Sequence, residues 1–373
     1  MYLVDGTSKP ELRAVVAQTL VTTVRIASGT GNLSSHLQDL VGAVYLGMHD
    51  PEKDIAKKMT DVWEDVFALQ GGKRANFSEI QKTISEGLQS PSWFRKAQAA
   101  AALVAFCQGT HPSKRALVEN SLAEVLELVP GRTWEGKDTL YAALSKLVLA
   151  LHSMQEPRPS LRQMKYGAQV LETLVQESER RKPTYRLKAV TALAELTKAV
   201  VLEPCDVSIV IKGLLPALFF DKSSYKTDEE SDGKTLPVLL LVSTQAWTTL
   251  QNMFTTSPST ASEVPTDELL QKLAANFPTF VWTVKAAAAR FVKALAKCTP
   301  PSAVDDQVLA VLVKDACDSK YPAVQEQVWA AIKEVVFKNR SNDDFLATAK
   351  ASLQQLLPLD LLRQRVSEFL ASL

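Results

Sequence analysis

A proline-led phrase returns at intervals of about forty residues along this chain. Its fullest copies are Pro91-Ser92-Trp93-Phe94-Arg95-Lys96-Ala97, Pro183-Thr184-Tyr185-Arg186-Leu187-Lys188-Ala189 and Pro278-Thr279-Phe280-Val281-Trp282-Thr283-Val284-Lys285-Ala286. Each joins a helix breaker, an aromatic, a basic residue and a run rich in Ala, Val and Leu. Weaker copies begin at Pro10, Pro51, Pro237, Pro322 and Pro358, and a copy without proline begins at Gly131. Pro10 and Pro51 lie 41 residues apart, Pro51 and Pro91 40, Pro237 and Pro278 41, and Pro278 and Pro322 44. A unit this short cannot cover its own apolar face, so successive units must lean on one another.

The units read as helical. From Leu187 the apolar positions are Leu187, Val190, Leu193, Ala194, Leu196 and Val200, the spacing of one helix face. Proline at a first turn costs little, because that N–H has no intrahelical partner. Shorter amphipathic segments lie between the copies: 34–46, 77–88, 117–129, 161–175, 267–277, 304–316 and 344–356. Each predicts the first helix of a pair. Residues 236–242 are β-like in composition but fall where the repeat requires a helix. A period of ~40–47 residues is that of two-helix HEAT or armadillo units. The prediction is an all-α fold: one α-solenoid over residues 1–373, of about eight hairpins. The longest spacing, Pro183 to Pro237, holds an insertion at 221–234 with Asp228, Glu229, Glu230 and Asp232. It reads as a solvated acidic loop within one repeat, with partner docking or phosphorylation as the sharper alternative.

The chain enters almost at once into a second-type helix at Pro10, where a solenoid end would carry a capping unit. It is therefore expected to be a C-terminal fragment of a longer array. At the other end Leu361, Leu362, Val366, Phe369 and Leu370 predict one apolar face closing the stack. Lys and Arg number 42 against 41 Asp and Glu, a formal charge of +1. That balance disfavours a polybasic nucleic-acid protein. No apolar run approaches the ~18–20 residues of a membrane span, and no secretory signal is legible. Cys107, Cys205, Cys298 and Cys317 are scattered and read as free buried thiols of a cytoplasmic or nuclear protein.

Residues that would carry chemistry are sparse. His36, His49, His111 and His152 have no metal-ligand spacing, so no metal and no cofactor is expected. In Gly136-Lys137-Asp138-Thr139 an Asp follows the Lys where a phosphate loop has Ser or Thr, and no strand precedes it. No nucleophile or dinucleotide motif is present, and the chain is expected not to be an enzyme. Between Arg158 and Lys188, eight basic residues face three acidic ones. Arg180, Arg181, Lys182 and Arg186 lie in that cluster. Ordinary surface charge is one reading, and a docking patch for an acidic protein surface is the other. Trp63, Trp93, Trp134, Trp247, Trp282 and Trp329 recur about once per repeat and are expected in the hairpin cores. Trp93, Trp134, Trp282 and Trp329 are the predicted repeat-packing set.

Two strings resemble a known family. Ser92-Trp93-Phe94-Arg95-Lys96-Ala97-Gln98-Ala99-Ala100-Ala101-Ala102-Leu103 and Gly131-Arg132-Thr133-Trp134-Glu135-Gly136-Lys137-Asp138 are similar to the C-terminal repeats of the large HEAT-repeat proteasome adaptor and scaffold family. The resemblance implies a non-enzymatic protein that associates with the core and regulatory particles and regulates their assembly or stability. It implies protein partners, proteasome subunits first, with no nucleic acid and no membrane insertion. A HEAT-repeat nuclear transport receptor or other regulatory scaffold is the alternative, although such receptors tend to be strongly acidic. A base-excision glycosylase on a similar scaffold would need a basic groove around a carboxylate. Within the second string, Gly131 is expected to end one helix, Thr133 to cap the next, and Trp134 to pack between them.

Overall fold

The computed structural model describes residues 9–28, 37–68, 72, 76–108, 112–220 and 235–373. Among them are seventeen α-helices and no strand. They fall into two compact units, Met1–Arg158 and Pro159–Leu373. The acidic segment 221–234 lies outside the described residues, as do His36 and His111.

The first unit begins with a lone helix, α1 (Pro10–Ser28). Three hairpins follow: α2 (Leu37–Gly47) with α3 (Lys53–Val62), α4 (Phe77–Gln89) with α5 (Trp93–Cys107), and α6 (Arg115–Leu128) with α7 (Asp138–Ser153). A wider π-type turn, Trp63–Ala68, prolongs α3. Besides pairing within hairpins, α1 packs on α3, α2 on α4, and α5 on α7.

The second unit holds five hairpins. They are α8 (Gly167–Ser178) with α9 (Pro183–Ala199), α10 (Pro204–Leu218) with α11 (Thr235–Thr256), α12 (Asp267–Asn276) with α13 (Trp282–Ala296), α14 (Asp305–Asp318) with α15 (Pro322–Lys338), and α16 (Asp343–Gln354) with α17 (Arg363–Ser372). Second helices run α9, α11, α13, α15 in one layer, each on the next, while α12, α14 and α16 follow one another in the other layer. Serial stacking of this kind is an α-solenoid. The described residues contain eight hairpins, and α1 stands where the sequence puts a second-type helix without its partner.

A proline or a capping side chain marks six of the helix starts. Pro10, Pro183, Pro204 and Pro322 are first residues of helices. The Ser92 hydroxyl accepts from the Arg95 N–H at 3.4 Å, and Asn342 Oδ1 accepts from the Phe345 N–H at 3.1 Å. The β-like residues 236–242 open α11, because Val242, Ala246 and Leu250 must all be buried on one helix face. Ala286, Ala287, Ala288 and Ala289 are all buried, and so are Ala99, Ala100 and Ala102. A methyl group in place of a longer side chain lets neighbouring helix axes come close.

Several expectations need correction. The segment 161–175 is not one helix, since α8 starts only at Gly167. Tyr166 sits in the left-handed region at φ 67°, and the Leu161 N–H donates to the Val201 carbonyl at 2.9 Å. A Cβ on Gly167 would lie 1.9 Å from the Leu161 carbonyl oxygen, so only glycine allows this approach. An additional helix, α10, occupies 204–218, which the amphipathic segments missed because Pro216 lies inside it. In the terminal copy Leu362 and Val366 are buried, whereas Leu361 is exposed. Of the cysteines, Cys107 is buried but Cys205 is exposed.

Buried carboxylates tie the segments together. Asp50 accepts from Arg13 Nε at 2.9 Å and from the Glu52 N–H at 2.9 Å. Asp206 accepts from Arg162 Nε at 2.8 Å and from the Glu203 N–H at 3.4 Å. Asp305 accepts from Lys338 at 3.0 Å, Asn339 at 2.9 Å and the Ser302 N–H at 2.9 Å. In each case one carboxylate satisfies an amide beside a helix start and a side chain brought from more than thirty residues away in sequence. Lys285 on α13 also pairs with the buried Asp315 on α14.

Burial pushes the Asp206 carboxyl above its ordinary range, and Arg162 only partly opposes this. A raised carboxyl binds its proton more tightly in the folded than in the unfolded chain. Protonated Asp206 therefore favours folding, and this contribution is lost as pH rises from about 3.8 through the folded value. The stability of the wild type relative to Asp206→Asn should accordingly fall as pH rises above about 3.8, measured as the difference in urea midpoints. A difference independent of pH would contradict this account.

Candidate protein-docking surface

Two second helices begin with a tryptophan, and both rings face solvent. Trp93 is the first residue of α5 and 50% exposed, while Trp282 is the first residue of α13 and 46% exposed. Trp93 stacks on Trp134, just before α7, with centroids 4.8 Å apart and planes at 16°. Trp282 stacks on Tyr321, just before α15, at 5.4 Å and 21°. In both units an aromatic at the start of one second helix thus meets its counterpart one repeat later. This corrects the expectation that all these tryptophans are hairpin-core residues. A ring at the first turn projects beyond the layer that would cover it, and its best cover is the matching ring of the next repeat. Trp134, Trp329 and Trp247 are buried as expected, and Trp63 is half-buried against Tyr45 at 5.2 Å. Trp329 meets the edge of Phe369 at 5.6 Å.

The Gly131–Thr139 string forms a structured turn. Gly131 has φ 103° and Gly136 φ 89°. Thr133 does not cap α7, which begins five residues later at Asp138. Instead Lys137 is buried and its Nζ donates to the Gly131 carbonyl at 3.3 Å. The Thr139 hydroxyl donates to the Gly136 carbonyl at 2.7 Å. A Cβ on Gly136 would lie 2.8 Å from the Ala97 methyl, so glycine brings this turn close against α5.

That approach frames a groove of about 630 Å³. Its walls are the His49–Pro51 turn, one side of α5 from Trp93 to Ala101, and Glu135, Gly136 and Thr139. Apolar carbon from Pro51, Phe94, Ala97 and Ala101 supplies much of the lining. Gln98 lies within it, 2% exposed, and neither its amide nitrogen nor its amide oxygen has a hydrogen-bond partner. His49 Nε2 is likewise buried without a partner. Burial pushes the His49 pKa down, so the imidazole is neutral at pH 7. Glu135 contributes the one carboxylate, and no lysine or arginine lines the groove. Lys96 sits over the outer ring face of Trp93, 5.0 Å from its centroid.

The basic cluster is largely engaged within the second unit. Arg180 pairs with Glu177, Nε to Oε2 at 2.8 Å, and Arg186 Nε donates to the Ser178 carbonyl at 3.1 Å. Lys182 covers the Tyr185 ring at 5.1 Å. Arg181 and Lys182 are exposed. The acidic members of the predicted set, Asp228, Glu229, Glu230 and Asp232, lie outside the described residues. Sequence reading did not single out Gln98 or His49. A glutamine in an alanine-rich helix looks like surface, and only its position on the α5 face, one turn beyond Phe94, hinted otherwise.

Among the described residues no group of three His, Cys, Asp or Glu is placed to hold a metal ion, and no helix is long and apolar enough to cross a membrane. Stacked helical hairpins of this kind define an α-solenoid, and it carries half-exposed aromatic rings and a groove. No family model matches the chain. It is 28% identical over 174 residues, 45% of its length, to the human proteasome adapter and scaffold protein ECM29. It is 27% identical over 172 residues, 44% of its length, to the Drosophila melanogaster proteasome-associated protein ECM29 homolog. Over that stretch the chain resembles a region of these proteasome adaptors. The matched stretch spans only 9% and 8% of the two relatives. Among solved structures, an engineered protein is similar with a TM-score of 0.46 and 15% identity, over 68% of this chain and 98% of its own. The designed armadillo repeat protein YIII(Dq)4CqI is similar with a TM-score of 0.45 and 14% identity, over 68% and 98%.

The two kinds of tryptophan should respond differently to truncation. Trp247→Ala is expected to cost about 3–5 kcal/mol, the range for deleting a buried ring. Trp93→Ala should cost about 0.5–1.5 kcal/mol, the scale of an aromatic pair. Urea unfolding of both variants compares the losses, and equal costs would show that Trp93 is as deeply packed as Trp247.

Proposed function

We propose that the chain is a non-enzymatic binding scaffold that associates with the proteasome, contacts its core and regulatory particles, and regulates their assembly or stability. The similarity of 174 residues to a proteasome adapter and scaffold protein carries this reading. The architecture supports it physically. A stack of hairpins offers its surface in repeating increments, so several weak contacts can sum over a large partner. The exposed rings of Trp93, Trp282 and Tyr321 are the anchors of this reading, since large aromatics dominate interface energies. Arg181 and Lys182 supply a cationic edge for an acidic protein surface, with Arg180 and Arg186 behind them. A scaffold for this particle acts in the cytoplasm and nucleus, and it needs neither cofactor nor metal.

Affinity purification of the tagged 373-residue chain from cell extract at low salt provides the test. Core- and regulatory-particle subunits should co-purify, and recovery should decline with added salt if rim charges contribute. Trp282→Ala should reduce recovery severalfold while leaving the thermal midpoint within a few degrees. Absence of proteasome subunits from gentle purifications would overturn the reading.

A further inference from the structure

A buried polar side chain without a partner costs about 1–3 kcal/mol, and nearly all such groups in folded proteins are satisfied. The groove beside Trp93 holds two residues that break this rule, Gln98 with both amide atoms and His49 with Nε2. An amide that lacks both donor and acceptor partners is matched by a group presenting an acceptor and a donor side by side. The N–H and C=O of one residue in an extended chain point to the same side and do so, whereas those of a helix are already paired within it. The apolar carbon of Trp93, Phe94, Ala97 and Ala101 gives a neighbouring side chain somewhere to be buried. Charge selects further: Glu135 lines the groove, no lysine or arginine does, and the imidazole brings no positive charge.

We propose that this groove binds an extended segment of a partner polypeptide. The N–H and C=O of one extended residue pair with the Gln98 amide, an apolar side chain packs against Trp93, and an adjacent lysine or arginine faces Glu135. His49 Nε2 takes a second main-chain group. The proposal rests on the reading of the chain as a protein-binding scaffold, and it adds a site and the chemistry of what is bound there. Binding relieves the penalty of the unsatisfied amide, so the backbone pairing supplies affinity and the side chains supply choice.

The test uses the full 373-residue chain and fluorescein-labelled nine-residue peptides carrying a central Leu-Lys or Phe-Lys pair, with Leu-Glu and Phe-Glu counterparts. Fluorescence anisotropy should show saturable binding of the lysine peptides and at least tenfold weaker binding of the glutamate ones. Gln98→Leu keeps the volume and removes the unsatisfied group, so its thermal midpoint should equal or exceed that of the wild type. The same variant should bind the lysine peptides at least tenfold more weakly. Glu135→Lys should reverse the preference between lysine and glutamate peptides. No saturable binding, or equal binding by wild type and Gln98→Leu, overturns the proposal. Proteasome co-purification is run alongside with both proteins. Co-purification without peptide binding defeats the groove alone, and peptide binding without co-purification defeats the proteasome reading alone.

Discussion

The second helix of each hairpin has to be covered on more than one side. In α13, Val284, Phe291, Val292 and Leu295 are buried together with a run of four alanines, and the helix packs against both α11 and α15. Each large apolar side chain buried in this way contributes about 1.5–3 kcal/mol, a gain that a solitary hairpin could not collect. The alanines set the distance between second helices and hence how closely one repeat sits on the next. Most other features follow from that dependence on neighbours. First helices can be short and strongly amphipathic, because they close one side only. Prolines and turns collect at the ends of helices, where they do not interrupt the apolar contact.

Electrostatics does a separate job at the helix ends. Asp50, Asp206 and Asp305 each bind a cation and a backbone amide in places where water is largely excluded. Such pairs add little net stability by themselves, but breaking one partner away leaves a buried charge and is costly. They therefore specify which segment meets which, while the apolar layers provide the driving force. Gly167 and Gly136 act similarly through shape, admitting backbone or a methyl group where any side chain would collide.

The groove on the first unit stands apart from these paired helix ends. Its polar atoms are buried but lack partners, and one of its walls is a half-exposed tryptophan. A surface built only for solvent would turn the Gln98 amide outward. Packing of Gly136 against Ala97 and stacking of Trp134 on Trp93 place the turn that walls the groove, so its shape is a by-product of how α7 is joined to the hairpin before it.

The recurring proline-led phrase and the 3.6-residue apolar period made the hairpins legible in the sequence, because both are local properties: a breaker ends a helix wherever it falls, and a face is defined by spacing along one chain. Even the β-like opening of α11 followed from its place in the repeat. Local pattern could not say that Tyr166 adopts a left-handed turn and shortens α8, since that depends on the Leu161 carbonyl arriving against Gly167. Nor could it separate Trp247, entirely enclosed, from Trp93 and Trp282, half in solvent. The spacing of a residue fixes which side of its helix it occupies. Whether that side is covered is decided by how far the neighbouring helix and its turn extend, and only the packed structure sets that distance.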